Sequence, residues 1–324
     1  SNSKGQDTNA VYGFVNMLRK LLREENPDLI GVALDVSSDT VRKEKYAEYK
    51  ANRKPMPDDL RAQLPWIRQA IEAYRIPIRE EAGYEADDVL GTLAQRAVAE
   101  GLDVVLVSAD KDLMQLVGPH VSLMHTGRDK VYGPAEVEED FGVPPQQVID
   151  VLSLEGDTSD NVPGVKGIGR KGAVSLVREY GSLEALLDRA GEISRKSYRE
   201  GLQEHRDEAL LSKELVTIHT DLSVDFAPDD FEHDPPDDEK LRQLFRELEF
   251  FSLLEELGEV PAAAVTLDLP AAIEAETADD WLARTDDLGP ELALTVLGEP
   301  PLGLVVGAAA EGDAVLVDLR REGV

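Results

Sequence analysis

Apolar positions in the first half of the chain recur with two periods, one helical and one extended. From Ala10 to Glu25, Val11, Phe14, Val15, Leu18, Leu21 and Leu22 share one helical face, and Asn26-Pro27 closes the stretch. Leu29 to Leu34 is a short apolar run ending in Asp35, the pattern of a buried strand. Asp58 or Asp59 then caps a helix through Ala73, with Leu60, Leu64, Ile67, Ala70 and Ile71 inward. Ile76-Pro77-Ile78 is a short edge-type strand. Val89, Leu90, Leu93, Ala94 and Ala97 give another helical face, with Gly101 as its stop. Asp103 to Val107 reads as a buried strand and Val121 to His125 as the next, before a turn at Thr126–Asp129. Helix and strand alternate, which predicts an α/β fold with a parallel sheet wound by helices.

The pattern changes after Gly133. A short helix from Pro134 and a second from Pro145 to Leu154 lead into Val162–Ala173, where glycines punctuate the chain. The Gly167-Ile168-Gly169 core has no strand before it, so it is not a dinucleotide fingerprint. Arg170-Lys171 stands where a P-loop needs Lys-Ser/Thr. Two short helices joined by a glycine hairpin fit better. Ser182 to Leu257 reads as mostly helical, broken at Pro228–Asp238. Its last apolar cluster (Phe245, Leu248, Phe250, Phe251, Leu253, Leu254, Leu257) should pack back on the first domain. Residues 259–290 read as a linker and the start of a further domain, with strand-like runs at 292–297, 302–306 and 314–319.

A length of 324 residues suggests about two domains. No apolar run approaches the roughly 20 residues of a membrane-spanning helix, and the start carries no signal-peptide core. The absence of cysteine excludes a disulfide framework and thiolate metal sites, and fits a cytoplasmic protein. The net charge of −31 opposes unaided nucleic-acid binding, because phosphate contacts rest on Lys and Arg. High internal salt in the source cell would rationalise such acidity.

Against that background, two segments change sign. Residues 41–54 hold six basic residues against two acids, with Tyr46 and Tyr49 interleaved. Aromatic rings among cations suit a single-stranded backbone; a solvated helix is the plainer alternative. At 162–173, exposed glycine N–H groups of Gly164, Gly167 and Gly169, a following helix N-terminus, and Lys166, Arg170 and Lys171 suit a phosphodiester. Ordinary helix packing is the alternative there.

The acids gather in the same manner. Glu85, Asp87 and Asp88 open a helix, Asp110 and Asp112 follow the strand at 103–107, and Asp35 ends another strand. Ligands in open α/β sheets bind at such carboxyl ends. Asp157 and Asp160 add a pair at i,i+3, predicted to share one face of a helical turn. Helix-dipole and loop roles account for any one cluster. Together, gathered carboxylates repel unless a cation neutralises them.

The stretches AVYGF (10–14), YKANRKPMPDDLR (49–61), GYEADD (83–88), SADKDL (108–113) and GDTSDNVPGVKGIG (156–169) closely resemble, in order and spacing, the 5′ nuclease domains of bacterial DNA polymerases I, in the flap-endonuclease family. The resemblance covers residues 1 to about 258. It implies a PIN-like α/β core with a basic arch (1–143), a helix-hairpin-helix subdomain (144–258), a linker (259–290) and the start of an α/β proofreading-exonuclease-like domain (291–324). In active versions of that last domain the first strand carries an Asp-x-Glu pair; Leu294–Gly298 lacks it.

The resemblance also implies two Mg²⁺ ions (or Mn²⁺) and hydrolysis of a 5′ flap, nicked or gapped DNA, in a monomeric, cytoplasmic bacterial protein with a polymerase domain in cis. Asp35, Asp87 and Glu85 would serve the first ion. Asp110 and Asp112 would serve the second, with Asp87 bridging and Asp157 and Asp160 acting directly or through water. Asp88 would be outermost. Lys50 and Arg53 would polarise the phosphate, Tyr49 would stack, and the hairpin would grip duplex and a K⁺ ion. The family opens with a strand ending in Val-Asp-Gly, upstream of Ala10, that does not occur in this sequence. Poor stability and an inactive DNA-binding fragment are therefore the competing expectations.

Overall fold

The computed structural model describes residues 1–258 and four later strands, and it divides into units 1–250 and 251–324. In the first unit the opening helix α1 (Asn9–Glu25) buries Val11, Val15 and Leu18, and Asn26 ends it in a left-handed conformation. Strand β1 is only Val32–Ala33, shorter than the run suggests. Its first half is diverted: the Ile30 N–H bonds to the Phe231 carbonyl, and Leu29 bridges Glu232 antiparallel.

Thr40 caps α2 (Val41–Lys45), after which residues 46–53 run in turns rather than one solvated helix. The helix expected to Ala73 is two, α3 (Asp58–Arg61) and α4 (Leu64–Ala73), with Asp58 and Asp59 in the first turn behind Pro57. Leu64 is exposed, contrary to expectation, while Ala70 and Ile71 are fully buried. Gln63, 1% exposed, marks the break; its side-chain oxygen accepts the Ala10 N–H at 2.8 Å.

Strand β2 (Ile78–Arg79) pairs parallel with β1. Then follow α5 (Ala86–Ala99), β3 (Val104–Val107), a 3-10 turn at Lys111–Leu116, β4 (Val121–His125) and β5 (Lys130–Tyr132). β3 and β4 are parallel, as expected, whereas β5 returns antiparallel. The α/β class holds, but the strands form two small sheets, β1-β2 and β3-β4-β5. β3 is half-covered rather than buried, with Leu106 inside and Val105 exposed.

The helices α6 (Pro134–Phe141), α7 (Val148–Glu155), α8 (Arg170–Tyr180), α9 (Leu183–Asp188), α10 (Lys196–Glu204), α11 (Arg206–Val216) and α12 (Asp238–Leu248) complete this unit. One apolar core runs from Leu106, Leu113 and Tyr132 into Leu152, Leu176 and Leu215, so the α/β and helical parts share an interior. Phe245, Leu248 and Phe250 are buried, and the Phe250 ring meets Tyr12 of α1 edge-on at 5.0 Å. That part of the closing cluster does pack on the first domain, while Phe251 is exposed.

The second unit contains α13 (Phe251–Glu256) and a sheet of β6 (Ile273–Ala275), β7 (Leu292–Leu297), β8 (Gly303–Ala308) and β9 (Ala314–Val317), in the order β6-β9-β8-β7. β6 lies inside the stretch read as linker. The remainder of 259–290 lies outside the described residues.

Candidate functional site: an acid cluster beside a basic segment

The start of α5 organises the site. Glu85 caps that helix: its backbone carbonyl accepts the Asp88 N–H at 3.0 Å, and the Asp88 carboxylate accepts the Glu85 N–H at 3.1 Å. Asp35, just past β1, accepts the Ala86 N–H at 2.7 Å, which ties the end of that strand to the same helix start. Asp87 sits in the first turn and makes no side-chain hydrogen bond among the described residues. Burial, then the Asp110, Glu85 and Asp35 charges, push its carboxyl up to about 7, against a pull from Lys50.

Asp110, past β3, caps the 3-10 turn by accepting the Asp112 N–H at 2.9 Å. Burial, and then the charges of Asp110, Asp157 and Asp160, raise Asp112 to about 7 as well. Its Oδ1 is buried without a hydrogen-bond partner. Strand ends and one helix start thus bring Asp35, Glu85 and Asp110 into electrostatic range of Asp87, and Asp110 into range of Asp112.

Asp157 and Asp160 do not share a helical face. They occupy a turn closed by paired hydrogen bonds between Asp157 and Val162, and they aim apart. Asp157 accepts the Ser159 N–H at 2.7 Å and the Lys111 ammonium at 2.8 Å. Burial alone would raise its pKa, but Lys111 and Ser159 outweigh it and bring the carboxyl down to about 2. Asp160 faces the basic segment, pairing with Arg53 and lying 3.7 Å from Lys50. Lys50 also pairs with Glu85.

Two residues stand elsewhere than the sequence suggested. Tyr49 is 5% exposed, so it offers no face for stacking; its hydroxyl donates to Glu85 at 3.1 Å and lies 3.4 Å from Asp160. Asp88 is fully buried and spends both oxygens on protein donors: Arg42 at 2.6 and 2.7 Å, and the N–H groups of His219 and Glu85. Burial would raise its pKa, yet Arg42 and these N–H groups lower it. Both Asp88 oxygens are thus taken by protein donors.

The hairpin joins α7 to α8. Gly164 has φ +61°, and a Cβ there would stand 2.5 Å from the Gly156 nitrogen, so glycine is required for close approach. Its N–H is not free for a phosphate, because it donates to Ser212 Oγ at 2.9 Å. Arg170 is also partly committed, pairing with Glu155 at 3.0 Å and stacking on Phe141. Lys166, Gly167, Gly169 and Lys171 remain at the surface. Gly167, with φ +88°, lies in open space.

Arg42, Lys111 and Ser159 escaped the sequence reading. Lys111 had a signal, lying between two acids in SADKDL; Arg42, whose partners lie 46 and 173 residues away, had none. Among the described residues no set of three His, Asp or Glu side chains stands in metal-holding geometry. The donor set still suits a hard divalent cation: all-oxygen, gathered, with two carboxyls driven toward protonation and one buried oxygen unpaired.

Comparison with known proteins bears on the same segments. The profile of the 5′-3′ exonuclease N-terminal resolvase-like domain matches residues 1–142, and that of the 5′-3′ exonuclease C-terminal SAM fold matches 143–239. The chain belongs to the 5′-3′ exonuclease family. Members of this family are metal-dependent hydrolases. A 5′-3′ exonuclease of Aquifex aeolicus is 40% identical over 260 residues, spanning 80% of this chain and 89% of that protein. DNA polymerase I of Bacillus caldotenax is 45% identical over 260 residues, 79% of this chain but only 30% of the polymerase. The chain thus spans about a third of the length of the polymerase relatives that it matches. The fold resembles the T5 D15 protein crystallised with metal ions (TM-score 0.58, 21% identity, 76% of this chain and 92% of that one). It also resembles the catalytic core of Rad2 in complex with DNA substrate (TM-score 0.54, 16% identity, 79% and 85%).

Proposed function

We propose that this chain hydrolyses DNA phosphodiesters at 5′ flaps and at nicked or gapped 5′ ends, with Mg²⁺ or Mn²⁺, as the nuclease part of a DNA polymerase I-type protein. The observation that carries the reading is the acid cluster with Asp87 and Asp112 raised to about 7, facing Lys50 and Arg53. Asp35, Asp87, Asp110 and Asp112 would hold divalent cations, with Glu85, Asp157 and Asp160 around them.

Cations held there supply Lewis acidity and offset the charge of acids and phosphate. The protein's own part is positional. Glu85 and Asp160 hold Lys50 and Arg53 beside the cluster, where these cations meet the anionic phosphate. The Tyr49 hydroxyl donates to Glu85 and lies beside Asp160, which helps to hold both acids in place. Lys166, Lys171 and the open glycine turn hold a duplex backbone, and a monovalent cation at that turn belongs to the same proposal.

Product mapping on a 5′-labelled flap duplex tests it. Labelled oligonucleotides should be released in Mg²⁺ and none in EDTA. Shortening from the 3′ end, or cleavage indifferent to EDTA, would overturn the reading. Binding in EDTA with no cleavage in Mg²⁺ would instead identify a DNA-binding module.

A further inference from the structure

Arg42 is the one cation of segment 41–54 buried from solvent, at 4% exposure, and its main partner is Asp88 rather than the Asp160 that Arg53 pairs with. Its guanidinium spends five donors. Nη1 and Nη2 form a fork on Asp88 at 2.6 and 2.7 Å, and Nη1 also lies 3.4 Å from Glu85. Nε donates to the Leu215 carbonyl at 2.9 Å and Nη2 to the Thr217 carbonyl at 2.7 Å. One side chain therefore joins the start of α5, which carries Glu85 and Asp87, to the end of α11.

The other end of the tie lies one turn back on α11. Ser212, fully buried, accepts the Gly164 N–H at 2.9 Å and donates to the Glu208 carbonyl at 2.7 Å. Lys213 adds a contact to Asp150 of α7 at 2.8 Å. The path from hairpin to acids thus runs through Gly164, Ser212, the α11 backbone, Arg42 and Asp88, with buried polar contacts at each joint.

We propose that Arg42 fixes the spacing between the hairpin and the acid cluster, and so sets which phosphodiester is cut. The inference rests on the reading that this chain cleaves DNA. A strand advances by about 3.4 Å per nucleotide, so a few ångströms of slack would carry a neighbouring phosphate to the acids. A guanidinium fork resists such slack because its donors are planar and fixed relative to one another. Lysine keeps the charge but presents its donors from one atom, and it cannot span Asp88 and two carbonyls together. Arg42, buried behind Asp88, touches no substrate; it is a positioning residue.

The test uses the full chain carrying Arg42→Lys or Ser212→Ala, which loosen opposite ends of the tie. A 5′-labelled flap duplex is cut under single turnover in Mg²⁺, and product lengths are read at nucleotide resolution. The wild-type chain should give one dominant product. In each variant that product's share should fall about fivefold, the low end of measured coupling between sites, with neighbouring lengths rising. Lost stability alone would lower the yield and leave the distribution intact. If Arg42→Lys leaves no product, Ser212→Ala decides. A wild-type distribution in Ser212→Ala, or in any Arg42→Lys protein that still cuts, overturns the inference while leaving the nuclease reading in place. No cleavage by the wild-type chain would overturn both.

Discussion

Asp112 keeps one oxygen buried and unpaired, and Asp87 lies nearby without a hydrogen-bond donor, both costly places for an anion. Each carboxyl titrates near 3.8 in an open chain and at about 7 in the fold, first through burial and then through Asp110. Between those values the folded chain binds more protons than the unfolded one. The stability these groups lend is complete below pH 3.8 and is lost as pH rises through about 7. Asp157 has the opposite sign, losing its contribution only as pH falls toward 2. In EDTA, then, Tm should drop between about pH 5.5 and pH 8 by at least the roughly 2–4 °C that 1 kcal/mol is worth at this size. Asp112→Asn should flatten the drop, and Mg²⁺ should reverse it in the wild-type chain. A flat profile in differential scanning calorimetry would count against the electrostatic picture. At this scale the acids were legible because they cluster within short stretches of sequence. The roles of Asp88 and Tyr49 were not, since burial by Arg42 and by the 157–160 turn depends on chain that folds in from far away.

The helices followed from periodicity and caps: α1 stops at Asn26-Pro27, and α5 starts on its Glu85–Asp88 box. Strands were less legible. Phe231 and Glu232 take up the first half of the run at 29–34, a partner some 200 residues away that no local pattern announces. The antiparallel β5 follows a turn the sequence did mark, but its three residues carry too little alternation to be read. The glycine hairpin was legible as a turn, though not as a close crossing. Gly156 and Gly164 pass so near that a Cβ on Gly164 would lie 2.7 Å from the Glu155 carbonyl carbon, at positive φ. Gly164→Ala should therefore cost about 2 kcal/mol or more, read as a lower Tm, whereas Gly167→Ala meets no atom within 4 Å and carries only the strain of its φ. Equal losses at the two positions would contradict the crossing.

For the whole molecule, a chain of net charge −31 that is proposed to bind a polyanion must concentrate its cations. Segment 163–199 holds eight basic residues against four acids, and segment 41–54 six against two. Lys166→Gln with Lys171→Gln should weaken duplex binding in EDTA and reduce the salt slope by about 1.8, two counterions at roughly 0.9 each. Arg170→Gln should change the slope less, because that side chain already serves Glu155 and Phe141.

In the proposed nuclease, the acids around Asp87 and Asp112 form the cation site on which hydrolysis depends. Single-turnover cleavage of a flap duplex is followed across a Mg²⁺ titration, with Asp87→Asn and Asp112→Asn beside the wild-type chain. Each variant should lose about 10²-fold or more in rate, the scale for removing one electrostatic stabiliser, while duplex affinity in EDTA stays at the wild-type value. Asparagine variants that cut at the wild-type rate with the same Mg²⁺ dependence would contradict it.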